Sequence, residues 1–110
     1  MRFLALATSD DAWFDARASG ETAVLLRAEA VRSWELFRTG VIREMNWRSD
    51  RHDVVIVLEA LDAAAAEAAL GTLPLVEAGA ISFEVVGLRP YDGWTLLFAD
   101  PALGTMERGD

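Results

Sequence analysis

The residue pattern predicts an α+β fold of the ferredoxin-like type, βαββαβ, with an antiparallel sheet ordered 4-1-3-2. Three observations lead there. Four short apolar segments of strand character are separated by two helix-length segments and one tight turn. Both helical segments run into a glycine, Gly40 and Gly71, where a helix is ended easily. The connection that lacks a helix, Ser49-Asp50-Arg51, falls between the second and third strands. Two right-handed crossovers joined by that hairpin put the strands in this order, with both helices on one face.

Arg2 to Thr8 is strand one. Alternation sets Arg2, Leu4 and Leu6 on one face and Phe3, Ala5 and Ala7 on the other, so both faces are largely apolar and the strand is central. Ser9 to Thr22 is polar. Ser9 or Asp10 caps a short helical turn holding Ala12, Trp13, Phe14 and Ala16, and Ser19-Gly20 breaks it. Ala23 to Thr39 is the first long helix, with Leu26, Ala30, Ser33, Trp34 and Phe37 on one face at helical spacing. Small Ala30 and Ser33 either let the helix approach the sheet or leave room for a ligand beneath it.

Val41 to Arg48 is strand two and His52 to Ala60 strand three. Val54, Ile56 and Leu58 face the helices, while Asp53, Val55, Val57 and Glu59 take the opposite face. The polar content of strand two suits a sheet edge. A one-residue slip in the turn exchanges its faces. The sequence therefore leaves open whether Arg43, Met45 and Trp47 look inward, or Glu44 and Asn46. Asp62 to Leu70 is the second helix, alanine-rich with Asp62 as its N-cap. Leu73 to Val76 is an apolar turn, Gly79 permits a sharp re-entry, and Ala80 to Leu88 is strand four. Ile81, Phe83 and Val85 share one face of it; Ser82, Glu84, Val86 and Leu88 share the other.

A length of 110 residues suits one domain, placed here at 1–98, with 99–110 as a frayed tail. The run of apolar residues after Met1 is too short for an export signal, and none reaches the roughly 20 residues of a membrane span. Cysteine is absent, which removes disulfides, thiolate chemistry and cysteine metal sites and fits the cytoplasm. A net charge of −8 repels phosphate backbones and anionic lipids, so nucleic-acid and membrane partners are not expected. The sheet face away from the helices would carry Val55, Val57, Val86, Leu88, and Leu4 and Leu6. Such a face calls for cover, and a second sheet closing a barrel supplies it, so a homodimer is expected.

Several stretches together resemble one family. They are Leu36-Phe37-Arg38-Thr39-Gly40-Val41-Ile42-Arg43, then Val54 to Glu59, then Leu73-Pro74-Leu75-Val76 with Ala78-Gly79 and Ile81 to Val85. Leu88-Arg89-Pro90-Tyr91 and Leu97-Phe98 close the series. In this order they resemble the muconolactone-isomerase-like branch of the dimeric α/β-barrel superfamily. The resemblance implies a ferredoxin-like subunit that dimerises through its sheets. It also implies a small-molecule pocket between sheet and helices or inside the barrel, and activities such as lactone isomerisation without metal or organic cofactor. The first loop, with Trp13 and Phe14, is longer than that branch leads one to expect. The catalytic residues of an isomerase have no one-to-one match here, so muconolactone itself is not carried over.

No Gly-rich phosphate loop, GxSxG or HExxH occurs. His52 is the sole histidine, so no multi-histidine metal site forms. His52 beside a turn is a surface residue or a general base. Glu84, between Phe83 and Val85 on the predicted dimer side, must be paired, solvated in a pocket or raised in pKa. It either forms an ion pair with Arg2 or Arg43, or it moves a proton while an arginine such as Arg43 holds a substrate oxygen. Glu44, Asn46 and Glu59 are lesser candidates. Trp34 and Trp47 would wall a pocket or fill the core, and Trp13 would lie over a pocket as a lid or pack on the body. The expected function is a cofactor-independent isomerase or cyclase acting on a small oxygenated compound by proton transfer. The alternatives are a non-catalytic small-molecule-binding dimer and a cofactor-free oxygenase.

Overall fold

The computed structural model describes residues 1–98. Its elements run β1 (Arg2–Ser9), α1 (Asp11–Asp15), α2 (Ser19–Arg38), β2 (Ile42–Trp47), β3 (Val54–Glu59), α3 (Ala63–Gly71), α4 (Pro74–Glu77) and β4 (Ile81–Leu88), followed by a 3₁₀ helix over Gly93–Phe98. The four strands form one sheet in the order β2-β3-β1-β4, and all three pairings are antiparallel. This is the ferredoxin-like arrangement. The expected tail over 99–110 lies outside the described residues.

The registers assign the faces. Ala5 pairs with Ile56 and with Val85, and Phe3 with Leu58, so this row faces the helices. Leu6 pairs with Val55 and Glu84, and Leu4 with Val57 and Val86, so that row faces away. The core is made by Phe3, Ala5, Ile42, Ile56 and Leu58 of the sheet, Leu36 of α2, Ala66 and Leu70 of α3, and Leu73. Each large side chain among them contributes roughly 1.5–3 kcal/mol by leaving water.

The face of β2 is settled by a bulge. Ile42 pairs with Leu58 but Glu44 with Val57, so Arg43 is the extra residue. Met45 and Trp47 therefore pair with Ile56 and Val54 on the helix side, and Glu44 and Asn46 sit beside Val57 and Val55 on the other. The bulged Arg43 turns back, and its Nε donates to the Gly40 carbonyl at 2.9 Å.

Three expectations are corrected. First, α2 begins at Ser19, four residues before Ala23, so Ser19-Gly20 is its first turn and not a break. The first N–H groups of any helix lack partners inside it, so glycine costs little there. Second, the stripe that α2 buries runs through Glu29 and Leu36, while Leu26, Trp34 and Phe37 remain 49%, 61% and 47% exposed. The helix is rotated about one residue from the predicted face because Leu36 fills the core. Third, Leu73 to Val76 is no open turn: Pro74 takes the first position of the single-turn helix α4, where its missing N–H costs nothing.

Gly40 and Gly79 have φ of 84° and 79°, and a Cβ at either would meet no atom within 4 Å. Gly79→Ala is thus expected to cost only the left-handed backbone penalty, about 1–2 kcal/mol, read as a lower urea midpoint with an unchanged slope.

Candidate functional site

Leu36 anchors the C-terminal part of α2, and the middle of the helix spans open space above the end of the sheet. A cavity of about 720 Å³ lies there, inside the roughly 300–1,000 Å³ range of ligand sites. Ala7 and Ser9 of β1, Met45 and Trp47 of β2, and Val54 of β3 form its floor. Leu26, Glu29, Ala30 and Ser33 of α2 form its roof. Asp11, Phe14 and Asp15 of α1, His52 and Asp53 before β3, and Leu75 with Ile81 close the sides. The small residues on α2, Ala30 and Ser33, leave the space that a larger pair would fill.

Two carboxylates in the wall are buried. Glu29 is 9% exposed. One of its oxygens, Oε1, accepts from the Leu75 N–H at 3.0 Å, and Oε2 has no hydrogen-bond partner among the described residues. Burial pushes its carboxyl above the ordinary 4.5, and the Leu75 hydrogen bond opposes this only in part. Asp53 is 8% exposed and fully engaged. Its Oδ1 accepts from the Ser9 hydroxyl at 2.6 Å and the Ser9 N–H at 3.0 Å, and its Oδ2 pairs with Arg51 Nε at 2.8 Å. The Ser9 hydroxyl above all, and Arg51 after it, hold Asp53 below the ordinary 3.8.

Asp53 was expected on the face away from the helices. It lies before the first residue of β3, in a six-residue connection closed by the hydrogen bond from Arg48 N to Asp53 O, so strand alternation does not govern it. The exposed imidazole of His52 lies flat on Trp47, ring centres 4.2 Å apart and planes 13° apart. Both rings line the cavity.

The other sequence candidates are spread out. Phe14 lines the cavity, whereas Trp13 pins α1 down: its indole N–H donates to the Ala78 carbonyl at 3.0 Å and the Arg17 guanidinium lies 3.7 Å above its ring. Trp34 stacks on Phe37 at 5.5 Å on the exposed side of α2 and is not in the cavity wall. Arg43, Glu44, Asn46 and Glu84 are exposed and outside that wall. Glu84 is not paired with Arg2, which binds Glu59 at 3.1 Å beside the N-terminal ammonium, nor with Arg43. Among the described residues, no group of three or more His, Cys, Asp or Glu side chains could hold a metal ion.

The fold and the wall together define an α+β ferredoxin-like domain with a mostly apolar cavity between sheet and helix, and two buried carboxylates, Glu29 and Asp53, in its wall. A solved structure of muconolactone isomerase at 3.3 Å resolution has this fold: TM-score 0.69, 21% identity, over 84% of this chain and 93% of that one. At that identity the likeness is one of fold. No family model and no curated protein matches the chain. Among the described residues no helix is long and apolar enough to cross a membrane.

Proposed function

We propose that the cavity binds a small oxygenated ring compound and shifts a proton on it, the chemistry of an isomerase. The observation that carries this is Glu29: a buried carboxyl on the α2 side of the cavity, raised in pKa by burial, with one oxygen left over. A carboxylate whose pKa is raised is a stronger base than a solvated one, which suits it to taking a proton. In a β,γ-unsaturated lactone, Glu29 takes the proton from the carbon next to the carbonyl. The electron pair moves through the dienolate to the ring oxygen-bearing γ-carbon, which receives the proton back, and the double bond becomes conjugated. No atom is gained or lost. His52, held flat on Trp47, donates a hydrogen bond to the carbonyl oxygen while it carries the negative charge.

The experiment is to incubate the protein in D₂O with an uncharged β,γ-unsaturated butenolide and follow the ring protons by NMR. Deuterium at the α- and γ-carbons and the conjugated isomer are expected, faster than with buffer alone. Rates equal to buffer across a series of such lactones would leave only a binding role.

We propose further that the subunit works as a homodimer joined through the far face of its sheet. Leu4, Leu6, Val55, Val57 and Leu88 are only half-buried there, and Val86 is 40% exposed. Val57→Arg is expected to convert a dimer to a monomer by light scattering at micromolar concentration; an unchanged mass would place the contact elsewhere. Glu84 would lie between the two sheets of such a dimer. If Glu84→Gln stopped the exchange and Glu29→Gln did not, the chemistry would belong to that inter-sheet space.

A further inference from the structure

The charge on the cavity wall bears on which ligands it admits. Among the described residues four carboxylates line it, those of Asp11, Asp15, Glu29 and Asp53, and no lysine or arginine does. The arginines nearby are engaged elsewhere. Arg51 is spent on Asp53 and the Ala7 carbonyl. Arg17 lies on Trp13 and donates to its carbonyl at 2.7 Å, and Arg48 is paired with Asp50 at 2.7 Å. Arg51 neutralises Asp53, but Asp11 and Asp15 stand exposed on α1 and pair with no cation among the described residues. A protonated His52 would still leave the wall negative once Glu29 ionises. The chain as a whole adds a net charge of −8, and a concave, low-dielectric site concentrates such a field.

We infer that this cavity selects uncharged or cationic ring compounds and turns away their carboxylates. The inference rests on the reading of the cavity as a ligand site and narrows it: the lactone or carbonyl compound it takes bears no free carboxylate. A like charge a few ångströms from a carboxylate costs about 1 kcal/mol even in water and more where water is excluded. Two such groups at the mouth should therefore weaken an anion by at least about tenfold.

The test is calorimetric titration of the full chain with three probes of one shape: naphthol, naphthylmethylammonium and naphthoate. Naphthol and the ammonium compound are expected to bind, and naphthoate at least about tenfold more weakly than naphthol. The naphthol-to-naphthoate ratio should narrow in the Asp11→Asn/Asp15→Asn double variant and on raising the salt, which screens charges at the mouth. Naphthoate binding as tightly as naphthol, or a ratio blind to both the double variant and salt, would overturn the inference and leave the ligand site standing. If none of the three binds, the ligand-site reading falls and the inference falls with it.

Discussion

Glu29→Gln is expected to lower proton exchange on an uncharged butenolide by about 10²–10⁴-fold while leaving the circular dichroism spectrum unchanged. Glutamine keeps the shape and an oxygen able to accept from the Leu75 N–H, but it cannot take a proton. The same residue fixes two opposed pH trends. Its folded-state pKa is raised above the ordinary 4.5, so the folded chain holds this proton more tightly than the unfolded one. The resulting stability is fully present below about 4.5 and is lost as pH rises through the raised value. Exchange runs the other way, because only the ionised carboxylate is a base, and its rate should climb through that window. The variant should lose both trends. It should match or exceed the parent's stability at pH above the raised value, having no buried charge, and lose any advantage below about 4.5. A variant with parental exchange would remove Glu29 from the chemistry; a variant that fails to fold would be replaced by a titration of the parent alone.

Asp53→Ala is expected to destabilise the fold by about 3 kcal/mol, a figure set by leaving the Ser9 N–H and hydroxyl without their acceptor. That is a large share of the roughly 5–15 kcal/mol of a typical domain. Asp53→Asn keeps an oxygen for Ser9 and loses mainly the charge on Arg51, so it should cost less. Because the Asp53 carboxyl sits below the ordinary 3.8, its contribution is present above that value and lost as pH falls through the lowered one. Parental chevrons near neutral pH and after acidification below about pH 4 should therefore differ, and those of Asp53→Ala should differ less. Equal denaturant midpoints for parent and Asp53→Ala would mean that the Ser9–Asp53 contact does not hold the cavity's end of the sheet together.

Strand and helix order was legible because it depends on local pattern. Phe3, Ala5 and Ala7 alternate as a covered strand face must, and Ile56 and Leu58 turn to the helices as read. Gly40 and Gly79 sit at the positive-φ positions where their neighbours imply them. The face of β2 was not legible, since it turns on whether one residue is bulged out, and Arg43 carries no mark of that. Asp53 was misplaced for a related reason: its side chain is set by Ser9, 44 residues away, not by strand alternation. Glu29 was not legible as a site residue. A signal was present, because Glu29 follows Leu25 by four residues and precedes Leu36 by seven, and so shares the helix stripe that ends in the core. The apolar face drawn through Trp34 and Phe37 competed with that stripe, and aromatic side chains outweighed a lone carboxylate. The small size of Ala30 and Ser33 left two outcomes open, close approach to the sheet or space beneath the helix, and both residues line the cavity. That the space persists beneath the middle of α2 depends on the packing of Leu36 in the core, which sequence spacing alone does not weigh.

Entry of a ligand into the space between α2 and the sheet is read out by amide and side-chain NMR of the labelled protein titrated with naphthol. Shifts concentrated at Ser9, Glu29, Ser33, Trp47 and His52, with Leu4, Val57 and Glu84 on the far face unmoved, are the predicted result. Shifts confined to that far face, with the cavity residues silent, would contradict it.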